Sequence, residues 1–124
     1  MNKNLKGNIF KQQPLQISEA AISRSIKQYL DARNIFNIRI NSGMVRVLNF
    51  RNDVSWMQLA PKGTPDRLAL YKSWSVWIEV KRTGGRVSPE QRDMHKRIRE
   101  AGGFVIIAES IDDVIEGLKE IDEI

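Results

Sequence analysis

Between residues 18 and 33, apolar side chains fall at Ala21, Ile22, Ile26, Tyr29 and Leu30, the three-and-four spacing of one helical face. Ser18 stands where an N-cap belongs and Glu19 opens the first turn, so a helix is expected over 18–33. The period then changes. FNIRI (36–40) and MVRVLNF (44–50) alternate apolar with polar positions around Asn41-Ser42-Gly43, which predicts two strands joined as a hairpin. Residues 51–63 read as irregular, ending in Pro61-Lys62-Gly63. RLALY (67–71) and SVWIEVKR (75–82) predict a third and a fourth strand, with Ser73 in the turn between them. After a Thr83-Gly84-Gly85-Arg86 link, Ser88-Pro89-Glu90-Gln91 is a strong helix start. Serine is the cap, proline fits the first helical position and Gln91 completes a capping box. That helix is expected to run to Ala101 and stop at Gly102-Gly103. FVIIA (104–108) is a continuous apolar run, expected to be a strand covered on both faces. Ser110 then caps a last helix with a buried stripe of Ile111, Val114, Ile115, Leu118 and Ile121.

The predicted order is therefore α-β-β-β-β-α-β-α, an α/β fold in a single domain over residues 18–124. A polar arm without periodicity is expected over residues 1–17. The fourth strand, the helix after it and FVIIA form a βαβ crossover, so these two strands should be parallel and the connection right-handed. The chain has 124 residues, one domain's worth, and its 41% apolar and 28% charged content belongs to a globular class rather than a disordered one. There is no cysteine, which excludes disulfides and thiolate metal sites and fits a reducing, cytoplasmic setting. No segment approaches the ~20 apolar residues that span a bilayer, and MNKNLKGNIFKQQ has no apolar leader core, so neither a membrane partner nor a secretory signal is expected. The formal net charge is +5, and the acidic residues crowd into EGLKEIDEI, leaving the body of the chain more basic still. Such a body favours a polyanionic partner, nucleic acid first.

The fourth strand carries charges that a core strand does not want. Val76, Ile78 and Val80 share one face, while Trp77, Glu79 and Lys81 share the other. At ~3.3 Å per residue Glu79 and Lys81 lie about 7 Å apart and can enter one pocket. Asp66 begins the neighbouring strand, and in a hairpin it would converge on Glu79. Two converging carboxylates repel unless a cation or a proton sits between them. A hard divalent ion such as Mg²⁺ suits oxygen ligands of this kind. A nearby lysine can position or deprotonate water, or neutralise an anionic transition state. The combination suits phosphodiester hydrolysis and needs neither cysteine nor histidine. The single histidine, His95, is expected on a helix surface, outside the chemistry. Trp56, Trp74 and Trp77 read as packing residues rather than base-stacking platforms. Glu-x-Lys is also compatible with an exposed ion pair and Pro-Asp with a plain turn, and the residues alone leave both readings open.

The stretches SEAAISRSIKQYL, NSG, KGTPDRLAL and VWIEVKRTGGRVSPEQRDMHKRIREAGGFVIIAES, with the apolar last helix, resemble the VRR-NUC family, the virus-type replication and repair nucleases of the PD-(D/E)xK superfamily. The likeness spans residues 18–121. It implies a restriction-endonuclease-like core with a mixed central sheet flanked by helices. It implies a Mg²⁺- or Mn²⁺-dependent endonuclease that acts on branched, Holliday-junction-like or duplex DNA as a homodimer. Matched position by position, it implies that Asp66, Glu79 and the main-chain carbonyl of Val80 hold the metal and that Lys81 serves the attacking water. Glu19 completes the site or holds a second ion, and Gln91 supports the lysine or the substrate. Lys62, Arg67, Arg82 and Arg86 flank this site and are expected to hold phosphates. Residues 1–17 and the 51–61 loop have no counterpart in the family pattern. Two rival readings remain: a non-catalytic basic DNA-binding module, and a structural subunit of a repair assembly.

Overall fold

The Ser18 hydroxyl accepts the Ala21 N–H at 3.1 Å and starts helix α1 (Glu19–Ala32) in the computed structural model of the chain, which describes residues 16–124. Residues 1–15 of the expected N-terminal arm lie outside the described residues. Ile22, Ile26 and Leu30 form the buried stripe of α1. The chain continues through β1 (Asn37–Arg39), β2 (Met44–Leu48), β3 (Val54–Gln58), β4 (Arg67–Tyr71) and β5 (Trp74–Val80). It ends with α2 (Pro89–Glu100), β6 (Phe104–Ala108) and α3 (Ile111–Asp122).

The main sheet has the order β1-β4-β5-β6 and is mixed. β1 and β4 are antiparallel, as are β4 and β5, whereas β5 and β6 are parallel with Ile78 opposite Ile106. The β4–β5 turn is two residues long, with Lys72 and Ser73 both at positive φ (47° and 69°). Positive φ at both central residues is the geometry of a type I′ turn, whose twist matches the strands it joins. Ala69, Val76, Ile78, Val80, Ile106 and Ala108 face one way and pack with α1 and α3 into a single core. The other face is turned towards α2, where Ile98 and Trp77 close around Gly103. The molecule is thus a mixed α/β fold in layers, with one helix on one side of the sheet and two on the other.

Helix α2 has the full capping box. The Ser88 hydroxyl accepts the Gln91 N–H at 3.1 Å, and the Gln91 side-chain oxygen accepts the Ser88 N–H at 2.9 Å. Ser110 sits at the N-cap of α3, but its side chain makes no cap bond. The Asp113 carboxylate instead accepts the Glu109 N–H at 2.8 Å.

Three expectations need correction. The order is α-β-β-β-β-β-α-β-α, because residues 54–58, read as irregular, form strand β3. The hairpin is β2 with β3, not β1 with β2; β1 crosses to pair with β4. The turn that makes this hairpin lies at 49–53. There the Asn49 side chain accepts the N–H groups of Arg51 and Asp53, and Asn52 takes a φ of 64°. β6 is covered fully on one face and in part on the other: Ile106 and Ala108 are buried and Val105 is half-buried on the α2 side, but Ile107, on an edge strand, is exposed. The β2–β3 hairpin forms a sheet of its own and exposes Met44, Val45, Leu48, Phe50, Val54, Trp56 and Met57. Among the described residues no helix is long and apolar enough to cross a membrane.

Candidate active site

The site is built where β4 begins and β5 ends. Arg67 is paired with Ile78, so one step further along the antiparallel register Asp66 comes opposite Glu79. Asp66 sits before the first ladder pair, and its side chain takes over the ladder's work by accepting the Val80 N–H at 2.7 Å. That bond ties one carboxylate oxygen to β5 and sets the carboxyl group beside Glu79. The loop before it is braced by α2. Gly63 is buried at φ +91°, and a Cβ there would lie 2.5 Å from the Glu90 carbonyl oxygen. Only glycine lets the Pro65-Asp66 segment lie this close to the helix.

Glu79 is 2% exposed, as deeply buried as any charged residue of the fold. Burial first, and then the Asp66 carboxyl group beside it, push its pKa up to about 8, while Lys81 acts in the opposite direction. His95 of α2, also 2% exposed, places Nε2 3.2 Å from Glu79 Oε1. His95 therefore lies under the sheet and not on the helix surface, which corrects the sequence expectation. Met94 and Ile98, half-buried one turn apart, mark the side of α2 that meets the sheet, but a polar His95 beside them carries no sequence signal of its own burial. Burial, helped by the charges of Arg99 and Lys81, pulls the imidazole pKa below its ordinary value. With the carboxyl pushed up and the imidazole pushed down, the bare pair is a hydrogen bond between neutral groups at pH 7, not an ion pair. An ionised Glu79 can only accept, so it selects the tautomer with the proton on Nε2.

Lys81 continues on the Glu79 face, half-buried, with its N–H donated to the Ala108 carbonyl at 2.9 Å. Its charge acts on both Glu79 and His95. Glu19, in the first turn of α1, reaches the same end of β5, where its Oε1 accepts the Arg82 N–H at 3.4 Å. Gln91 is half-buried with its side-chain oxygen committed to the α2 cap. An open groove of about 740 Å³ runs from Glu19, Asp66 and Val80 to Arg24, Arg39 and Arg67. Of the expected phosphate-binding residues, Arg82 and Arg86 are exposed, Lys62 lies 3.6 Å from Glu90, and Arg67 is buried.

Asp66 and Glu79 are brought together, with Lys81 on their face and Glu19 at its edge. Among the described residues no group of three or more His, Asp or Glu side chains is placed to hold a metal ion. What the site offers is two carboxylates and main-chain oxygen. That donor set fits a small hard cation that keeps several of its waters, not one needing a closed protein cage. The raised Glu79 pKa, set first by burial and then by Asp66, means that ionising Glu79 here is costly, a cost that a cation between the two acids would lower. No protein-family model matches the chain, and no curated protein matches it either.

Proposed function

We propose that the chain is a Mg²⁺- or Mn²⁺-dependent nuclease that hydrolyses phosphodiester bonds in branched or duplex DNA, on a restriction-endonuclease-like core of the VRR-NUC type. The observation that carries this reading is the meeting of Asp66 and Glu79 across the β4–β5 ladder, with Glu79 buried and its carboxyl raised. A structural ion pair would not leave two acids face to face. The basic groove beside them supplies a path for a polyanion.

Asp66 and Glu79 would hold the metal, with the Val80 carbonyl and Glu19 as the remaining candidates. When bound, the ion supplies Lewis acidity at the phosphoryl oxygens and an activated water. The protein's own groups do the rest. The Val80 N–H fixes the Asp66 carboxylate in rotation. With Glu79 ionised, His95 would donate Nε2–H to its Oε1 and support the carboxylate from the α2 side. Lys81 aligns the attacking water and balances negative charge as it develops on the phosphoryl group. Gln91, fixed by the helix cap, holds the wall of the site in place.

The enzyme acts as a homodimer in this proposal, and the β2–β3 hairpin is its pairing surface. Met44, Leu48, Val54 and Trp56 are exposed on one face of the ribbon, with Phe50 exposed at its turn, and this apolar face is the one a second copy would cover. An isolated two-stranded ribbon is also marginal in water, so a second copy completes what one chain leaves bare. The absence of cysteine suits the reducing cytoplasm.

The test is cleavage of labelled four-way junctions, flaps and duplexes with Mg²⁺ or Mn²⁺. Products should appear with metal, vanish in EDTA, and be absent for Asp66→Asn and Glu79→Gln while both variants remain folded. Cutting by either variant at the parent rate would falsify the site.

A further inference from the structure

Arg67 is 5% exposed, and among the described residues no carboxylate touches it; Asp31 and Asp66 act on it only from a distance. Its Nη1 donates to Asn37 Oδ1 at 2.7 Å, its Nε has no partner, and among the described residues it joins no salt bridge. A buried guanidinium without a carboxylate is costly, because desolvation is not repaid. Next to it the cost rises. Arg39 is the cross-strand partner of Arg67 in the β1–β4 ladder, so the two side chains leave the sheet on the same face. Like charges directly opposite destabilise a sheet unless an anion joins them.

Both arginines line the 740 Å³ groove that also touches Asp66 and Glu19. The guanidinium is held ready by a chain of bonds: Lys27 Nζ to Asp31 Oδ2 at 2.6 Å, Asn37 Nδ2 to Asp31 Oδ1 at 2.9 Å, and Asn37 Oδ1 to Arg67. The Nε is shut off from solvent, so the guanidinium would meet a phosphate through the Nη2 side that Asn37 does not hold, while the exposed Arg39 supplies the second donor. The groove has the volume of a nucleotide-sized ligand.

We propose that Arg67 and Arg39 form a second phosphate site on the β1–β4 side of the groove, which grips a phosphate of the nucleic-acid strand other than the one being cleaved. The proposal rests on the nuclease reading and deepens it: the strand is held at two points, one at the carboxylates and one at the arginine pair. The gripped group is an internal phosphodiester or a terminal phosphate, which share the same oxygens.

The experiment measures DNA affinity of the full chain in EDTA by fluorescence anisotropy over a salt series, for the parent, Arg39→Gln and Arg67→Met. Arg39 is exposed, so its variant keeps the fold even if Arg67→Met does not. Each folded variant is expected to lose roughly threefold to tenfold in affinity and to show a salt slope shallower by about one. Inorganic phosphate should raise the melting temperature of the parent and raise that of Arg39→Gln less. Oligonucleotides with and without a 5′-phosphate separate the two sources: an equal loss on both marks the internal phosphate, and a loss confined to the phosphorylated strand marks the terminal one. Parent affinity and slope in Arg39→Gln, with an unchanged response to phosphate, overturn the proposal. Lost affinity in the variants of a protein that cuts nothing leaves the phosphate site standing and removes the nuclease.

Discussion

His95 of the second helix and Glu79 of the fifth strand meet at 3.2 Å, both 2% exposed, and this contact decides how the acidic site is held. His95 supports a carboxylate that the metal would use, so its loss should be felt at the metal as well as in the fold. His95→Ala should cost about 2–4 kcal/mol, from the cavity and from the carboxyl group left without its partner. His95→Gln, which keeps a donor, should recover much of that. Chemical denaturation gives the stabilities. Mg²⁺ titration should show a weakening of roughly tenfold to a hundredfold in the alanine variant.

The same pair gives the metal-free protein a pH dependence. Glu79 has a folded pKa of about 8, raised above its unfolded value of 4.5, so its contribution to stability is present below 4.5 and lost as pH rises through 8. His95 has a folded pKa lowered from 6.5, so its contribution is present above 6.5 and lost as pH falls. The two oppose each other on the acid side, which leaves Glu79 alone above 6.5. The melting temperature in EDTA should therefore fall between pH 6.5 and 8.5. Glu79→Gln should flatten that slope, and so should saturating Mg²⁺, because it holds the carboxylate ionised. A parent curve without slope in this window refutes the assignment.

Lys81 should matter for the rate and little for the fold. Lys81→Ala is expected to lower single-turnover cleavage by about a hundredfold or more, with DNA affinity in EDTA close to that of the parent. Equal losses in rate and affinity would make it a phosphate contact instead.

Gly63 carries the loop that delivers Asp66. Gly63→Ala must accept both a positive φ and a backbone contact at 2.5 Å, so the loop has to move. A loss of about 1–2 kcal/mol is expected from conformation alone. Cleavage should fall further than stability explains, because Asp66 shifts with the loop. Activity equal to the parent's at a temperature where both are folded argues against this coupling.

The pairing surface is tested by charge. Trp56→Glu with Met57→Lys should turn a dimer into a monomer in sedimentation equilibrium and leave the main sheet intact. A parent that sediments as a monomer at high micromolar concentration removes the dimer from the proposal.

The local parts of this fold were legible in the chain. Ser88, Pro89 and Gln91 announced a helix start, and the cap bonds are there. RLALY and SVWIEV are neighbours in sequence and pair as such. The errors lie where pairing is non-local or signals compete. Asn41-Ser42-Gly43 and Asn49-Phe50-Arg51-Asn52-Asp53 are both good turns, and only tertiary pairing of β1 with β4 decides that the second makes the hairpin. Val54–Gln58 lies within residues 51–63, which read as irregular, and its pairing with β2 makes it a strand. In the site, Asp66 and Glu79 could be brought together on paper because one hairpin holds both. His95 could not, since its place depends on how α2 is rotated over the sheet, and Arg67, expected to flank the site and hold a phosphate, shows its burial and its pairing with Arg39 only once β1 lies beside it.

The β4–β5 hairpin delivers Asp66, Glu79 and, just past its end, Lys81, whereas the groove's arginines come largely from α1 and β1. Arg67 directly follows Asp66, so the hairpin carries part of the grip as well, while Arg24 and Arg39 ride on other pieces of chain. Altering β1 can retune which nucleic-acid shapes are accepted while leaving Asp66, Glu79 and the Glu19 of α1 in place, which makes that strand the natural target for redesigning substrate choice.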